Sequence, residues 1–211
     1  MKTDDLISIL AADAPVRSRL GPLLRGALVA GVLISAALLF STIGIRHDMG
    51  TAIETARVLF KVFTTLTLAV TACSLVFRIG RPGAPLKSSA LALLLPLSLV
   101  LAGVAMELTV IPESSWRAAL VGRNAAFCVF FIPVLSLAPL AGFLWALKSA
   151  APASPALGGA VAGLASAGLA TALYAWHCPD DSPLFLATWY MIATAIVAAA
   201  GAIIGSRYLK W

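Results

Sequence analysis

With only three cysteines and two histidines among 211 residues, thiol or imidazole chemistry is confined to a few positions. Cys128 lies near the start of a long apolar run, and Cys178 sits in the polar stretch His177-Cys178-Pro179-Asp180-Asp181 between two others. Two thiols brought together can close a disulfide in an oxidising compartment. As thiolates they can instead capture a soft metal ion, with His177 as a weaker nitrogen ligand. There is no CxxC and no zinc-ligand spacing, and a buried cysteine ordinarily serves as a small apolar residue. Cys178 is the stronger candidate, because His177, Pro179, Asp180 and Asp181 are not the neighbours of an apolar core. Cys73 falls toward the opposite end of its own run.

Charge inside an apolar run is the second signal. Lys61 and Glu107 each lie about four residues from the end of a run, at the same level as Cys128, or roughly 6 Å in at 1.5 Å per residue. Lys61 is long enough to snorkel to the surface. Glu107 must find a cation, with Lys61, Arg57 and Arg117 in range, or take up a proton. A structural ion pair is the expected reading, and Lys61 with Glu107 is the candidate buried polar pair. Catalysis finds no support, for no nucleophile has an evident base and no glycine loop suits a phosphate. The chain reads as no enzyme and requires no cofactor; a heavy-metal ion at Cys128 and Cys178 would be a transient visitor.

The elements that must position these groups follow from composition. The chain is 61% hydrophobic and 11% charged, against about 25% charged in a typical soluble domain, so the bilayer is its expected solvent. A helix of about 20 apolar residues crosses a hydrocarbon core of roughly 30 Å. Six runs qualify, at residues 26–45, 58–77, 90–111, 124–147, 156–176 and 184–205. The expected fold is all-α: a polytopic bundle of six transmembrane helices over residues 26–205, preceded by segment 1–25 and followed by tail 206–211. Pro96, Pro133 and Pro139 fall inside spans, where they are expected to kink them. Gly159 with Gly163 and Gly201 with Gly205 have the spacing that permits close helix approach. There is no internal repeat of the kind that builds many transporters.

Orientation follows from the basic residues between spans. Lys2, Arg17, Arg19, Arg25, Arg78, Arg81, Lys87, Lys148, Arg207 and Lys210 fall on one side, ten in all, against Arg46, Arg57, Arg117 and Arg123 on the other. The positive-inside rule then places both termini in the cytoplasm and the Cys128–Cys178 end outside. Aromatic residues agree, with Trp116 and Trp176 near outer ends and Trp145, Tyr208 and Trp211 near inner ends. The net charge of +6 is spread between spans instead of clustered, which argues against nucleic acid as a direct partner. Met1 to Arg25 is polar and carries Asp4, Asp5 and Asp13, so it is not expected to be a cleaved signal peptide. Its start reads as a short amphipathic helix with Leu6, Ile9 and Leu10 on one face. Such a helix is marginal alone; its face calls for the bilayer surface, the rest of the chain or a cytoplasmic protein.

Two stretches carry a resemblance to a known family. Met1-Lys2-Thr3-Asp4-Asp5-Leu6-Ile7 with Leu10-Ala11-Ala12-Asp13-Ala14-Pro15 is one, and Tyr174-Ala175-Trp176-His177-Cys178-Pro179-Asp180-Asp181-Ser182-Pro183 is the other. The second continues through Trp189-Tyr190 to Arg207-Tyr208-Leu209-Lys210-Trp211, and Cys128 stands shortly before Ile132-Pro133. Over essentially its whole length the chain resembles bacterial membrane anti-sigma factors of the NrsF type. The resemblance implies an inner-membrane protein whose N-terminal segment holds an extracytoplasmic-function sigma factor inactive, with Cys128 and Cys178 as the sensor of heavy metals or oxidants. The amphipathic pattern then offers Leu6, Ile9 and Leu10 as the face buried on the sigma factor, and Asp4, Asp5 and Asp13 as partners of basic residues on it. A small-solute or ion transporter is the alternative. It would place polar groups and broken helices near the midplane, whereas here the charges stay near one surface. A thiol-disulfide enzyme would need a resolving partner beyond the single outer pair.

Overall fold

The computed structural model describes Thr3, Asp5, Ile7 and Ser8 and then residues 20–81, 84–150 and 152–210, all of whose regular elements are helical. Six helices are long and apolar enough to cross a membrane. Their main helices are α1 (Leu20–Thr42), α2 (Ala56–Ile79), α3 (Leu94–Val110, within the span Lys87–Val110), α4 (Ala125–Lys148, within Glu113–Lys148), α5 (Pro155–Tyr174) and α6 (Met191–Tyr208, within Pro183–Tyr208). Of the N-terminal positions singled out above, Asp5 is helical and exposed, with the Ser8 hydroxyl donating to its carbonyl at 2.8 Å. Asp4, Leu6, Ile9, Leu10 and Asp13 lie outside the described residues.

The long helices alternate in direction. One end gathers Leu20, Gly80, Leu147 and Ala150, together with Pro152 and Leu209 around Gly158. The other gathers Gly44, Lys61, Glu107, Asn124 and the loop after α5. The centre is α5, whose span is 67% buried where no other exceeds 44%. Its sequence explains this, since Gly and Ala dominate its buried face and let neighbours approach to backbone contact. A Cβ on Gly159 would meet the Gly201 carbonyl, one on Gly163 the Val197 carbonyl, and one on Gly168 the Ala69 backbone. The glycine pairs therefore form the α5–α6 seam.

Proline accounts for two further features. Pro139 has no N–H for the Leu135 carbonyl one turn back, and the Ser35 hydroxyl of α1 donates to that carbonyl at 2.6 Å instead. Gly31 packs its bare backbone on the same proline. Pro96 breaks the third span, so the turn Lys87–Ala92 is separated from α3 at Leu93.

The outward faces are lined with large apolar side chains, among them Leu33, Val70, Val110 and Phe130, each more than half exposed. A surface of this kind suits an apolar solvent.

Three elements differ from the sequence expectation. Helix α1 is already formed at Leu20, ahead of the expected Gly26. It ends at Gly44, whose φ of 65° lets the N–H groups of residues 43 and 44 bond the Leu39 carbonyl. The connection before α4 is itself a helix, Glu113–Val121, closed by Gly122 at φ 60°. A single π-helical turn, Leu186–Tyr190, leads into α6.

Candidate functional site

Cys128 occupies the first turns of α4, and Cys178 lies in the loop between α5 and the start of the last span. Their sulfurs are 3.8 Å apart, neither residue is exposed to solvent, and both are free thiols. Cys73 is buried elsewhere, in the cluster at the termini end. Around the pair stand Tyr174, Phe185, Tyr190 and Ile132, which make the pocket apolar.

The loop is held from every side. The Asp180 carboxylate accepts from the backbone N–H of Asn124 at 2.8 Å and from that of Arg123, so it caps the N-terminus of α4, where a negative charge is favoured. The carbonyl of Cys178 accepts from the Lys61 ammonium at 2.6 Å. Lys61 also donates to Asp181, whose second oxygen accepts from Arg46 at 2.7 Å. Arg46 forks back to Asp48, again at 2.7 Å. From α3, Glu107 accepts a hydrogen bond from Ser182 at 3.3 Å. The loop thereby joins α2, α3, α4 and the α1–α2 connection.

The charges pair in part as expected: Glu107 takes Arg57, one of the three cations in range, but not Lys61. Lys61 and Glu107 are both buried but do not meet. Lys61, 1% exposed, pairs with Asp181, while Glu107, 7% exposed, pairs with the half-exposed Arg57 at 3.0 Å. Lys61 therefore does not snorkel: its ammonium turns to the loop, where a carbonyl and a carboxylate replace water. His177 is likewise engaged away from the sulfurs, with Nδ1 3.0 Å from the Gly44 carbonyl and its ring against Tyr174. Among the described residues no three His, Cys, Asp or Glu side chains are grouped to hold a metal. Any soft ion at this site would rest on the two sulfurs.

The loop electrostatics follow from these contacts. Arg46 holds the Asp48 carboxyl down to about 2, and Asp48 in turn raises the guanidinium above its ordinary value. The Cys178 thiol is held below the usual thiol range. The Cys128 thiol donating toward its sulfur is the main cause, and the Lys61 charge adds to it against the cost of burial.

Sequence reading did not find Arg46, Asp180 and Asp181 as the fastening of the loop. The adjacent acids after Cys178 were the available signal. Nor did it find Tyr174 and Tyr190 beside the sulfurs.

Among the described residues this is an all-helical bundle of six spans long and apolar enough to cross a membrane, with two free thiols buried under a charge-clamped loop at one end. A family model described as "Negative regulator of sigma F" (NrsF) matches residues 10–211, and the chain belongs to this family. It is 35% identical to the anti-sigma-F factor NrsF of Caulobacter vibrioides over 214 residues. It is 32% identical to the probable anti-sigma-F factor NrsF of Azospira oryzae over 213 residues; both alignments cover all of each chain. No solved structure matches it. The family is one of negative regulators of a sigma factor, and the relatives' names describe regulators, not catalysts.

Proposed function

We propose that the chain is an inner-membrane anti-sigma factor with both termini in the cytoplasm. In this reading it sequesters an extracytoplasmic-function sigma factor through its N-terminal segment and releases it when Cys128 and Cys178 capture a heavy-metal ion or are oxidised. The apolar outward faces and the excess of basic residues at the termini end support the placement. The N-terminal contacts fall to Leu6, Ile9 and Leu10 as the buried face and to Asp4, Asp5 and Asp13 as the charged rim, from the amphipathic pattern.

One observation carries the sensing part: two free sulfurs 3.8 Å apart, one on a long helix and the other in a loop tied to three more elements. A metal bridging the sulfurs, or a disulfide drawing them together, changes the fit of that loop. A ligand can shift a conformational equilibrium only by binding two states differently, so this reading requires a second packing of the loop that suits the bridged sulfurs better. His177, held by Gly44, has at most a supporting part.

The test is co-purification of the full chain with sigma factors of its host. Three proteins are compared: the wild type, a truncation lacking residues 1–18 that leaves α1 whole, and Cys128→Ser/Cys178→Ser. The expected result is a sigma factor bound to wild type, lost on truncation, and released by cadmium or hydrogen peroxide only when both cysteines are present. If no sigma factor is captured under any condition, the reading is wrong. Binding that ignores the cysteines refutes the sensor alone.

A further inference from the structure

Two tyrosine hydroxyls beside the dithiol are unexplained by anything so far. Tyr174 is 0% exposed and Tyr190 is 3% exposed, and both hydroxyl oxygens are buried without a hydrogen-bond partner among the described residues. The rings stand 6.0 Å apart in the same cluster as the two cysteines, Tyr174 beside Cys128 and Tyr190 beside Cys178. Phenylalanine would fill the same space without burying an unsatisfied oxygen, so each hydroxyl calls for a reason. A neutral thiol is a weak acceptor and leaves both O–H groups unpaired. A thiolate, or a sulfur bound to a metal, is a far stronger one.

We propose that Tyr174 and Tyr190 are positioning residues of the cysteine pair: their O–H groups donate to the Cys128 and Cys178 sulfurs once these carry a metal ion, and so hold the loaded pair in a dry pocket. The proposal deepens the sensor reading and rests on it. Capture of a soft dication M2+ then proceeds without redox change. Two S–H bonds break, both protons pass to solvent, and two metal–sulfur bonds form. The resulting M(SR)2 unit is neutral, which an apolar pocket tolerates, and its sulfur lone pairs take the tyrosine hydrogen bonds. With no third His, Cys, Asp or Glu ligand grouped there among the described residues, the pocket favours ions satisfied by two thiolates over those that require four ligands. The charged groups facing the pair are Lys61 from α2, Arg46 from the α1–α2 connection, and Asp180 and Asp181 of the loop. Of these, Lys61 and Arg46 reach the carbonyl of Cys178, not its sulfur. Among the side chains around the pair, the two tyrosine hydroxyls are donors with no other partner among the described residues.

The experiment compares full-length wild type, Tyr174→Phe, Tyr190→Phe and Cys128→Ser/Cys178→Ser in detergent. Each is measured for thermal unfolding without metal, and for mercury(II) affinity, read from mercury–thiolate absorbance in competition with a small dithiol. The serine variant subtracts Cys73. The expected result is that either Phe variant unfolds at or above the wild-type temperature. Its affinity for the ion falls about tenfold, as loss of a hydrogen bond to a charged group requires. An unchanged affinity in both variants overturns the proposal, and lower resting stability with an unchanged affinity assigns the hydroxyls a structural role instead. If wild type captures no mercury(II) beyond the serine variant, the sensor reading itself fails and takes the proposal with it.

Discussion

Replacing Lys61 by Met removes an ammonium that is 1% exposed and donates to the Cys178 carbonyl at 2.6 Å and to Asp181. No charge is stranded by the change, because Asp181 keeps Arg46 at 2.7 Å. The Cys178 carbonyl is left with one long contact, 3.5 Å to Arg46. The expected cost is that of one poorly satisfied buried acceptor and one lost charge-assisted bond, about 2 kcal/mol, eased because an ammonium no longer has to be desolvated. Asp181→Leu is the harsher change, since it leaves the buried ammonium with carbonyl oxygens alone. Breaking a buried pair from one side costs about 3–5 kcal/mol. The double variant strands neither charge, so it should fall short of the sum of the singles by about 1–3 kcal/mol. Unfolding in detergent can be followed by the reaction of buried Cys73 with a fluorogenic maleimide. The expected order of stability loss is Asp181→Leu first, with the double variant sub-additive and Lys61→Met mildest. If Lys61→Met equals Asp181→Leu, or the two losses add, the loop is not held by this charge pair and the account of its fastening is wrong.

Ser35→Ala removes the only described donor to the carbonyl that Pro139 leaves open; the melting temperature should fall by the equivalent of about 1–3 kcal/mol, whereas Ser41→Ala on the exposed side of α1 should be silent. Gly201→Val drives side-chain carbon into the Gly159 carbonyl and the Gly163 backbone, so the folded yield on size exclusion should collapse. Gly26→Val, with open space around it, should fold normally. The Arg46–Asp48 pair has a defined pH response, because the Asp48 carboxyl is depressed from 3.8 to about 2. A depressed acid contributes fully above its unfolded value and loses that contribution as pH falls through the folded one. Hydrogen exchange of segment 44–50 should therefore show unchanged protection from pH 7 to about 5, with its electrostatic part declining below that and lost only below about 2.

The six long helices were legible because mean hydropathy over a span-length window is a one-dimensional property, and bilayer thickness fixes the window. The end of the bundle was legible too: Lys61, Glu107 and Cys128 all meet the loop after α5, because helices rise by a constant amount per residue. What position along a helix does not give is rotation about its axis, and rotation decides partners. Lys61 therefore found Asp181 instead of Glu107, and Glu107 found Arg57. Arg46, counted as a charge outside a span, proved to be a clamp on the loop. The helix Glu113–Val121 escaped a hydropathy reading because it is short, though Pro112, Glu113 and Gly122 mark its ends in sequence. That Pro139 would free a carbonyl could be read; that Ser35 would answer it is a fact of packing between α1 and α4.

On the proposed reading, a change at the sulfurs must reach the opposite end of the bundle, and α1 is the element built to carry it. It is the first long helix after the N-terminal segment, and its 23 residues span about 35 Å at 1.5 Å each. At its far end the His177 ring nitrogen meets the Gly44 carbonyl, while the Arg46 N–H donates to the Trp176 carbonyl and the Arg46 side chain binds Asp181. Three contacts thus tie the end of α1 to the loop that carries Cys178. Along its length α1 rests on α4, the helix of Cys128, through backbone-close contacts that have little lateral play: Gly31 on Pro139, Ala27 on Gly142, and the Ser35 hydroxyl on the Leu135 carbonyl. Closely packed backbones repack in discrete steps instead of bending continuously. Moving Cys178 relative to Cys128 pulls on the end of α1 against the helix it leans on, and a rigid helix passes such a displacement to its other end. Leu20, the start of α1 among the described residues, lies at that other end against Gly80, and on this reading the shift of α1 is delivered there.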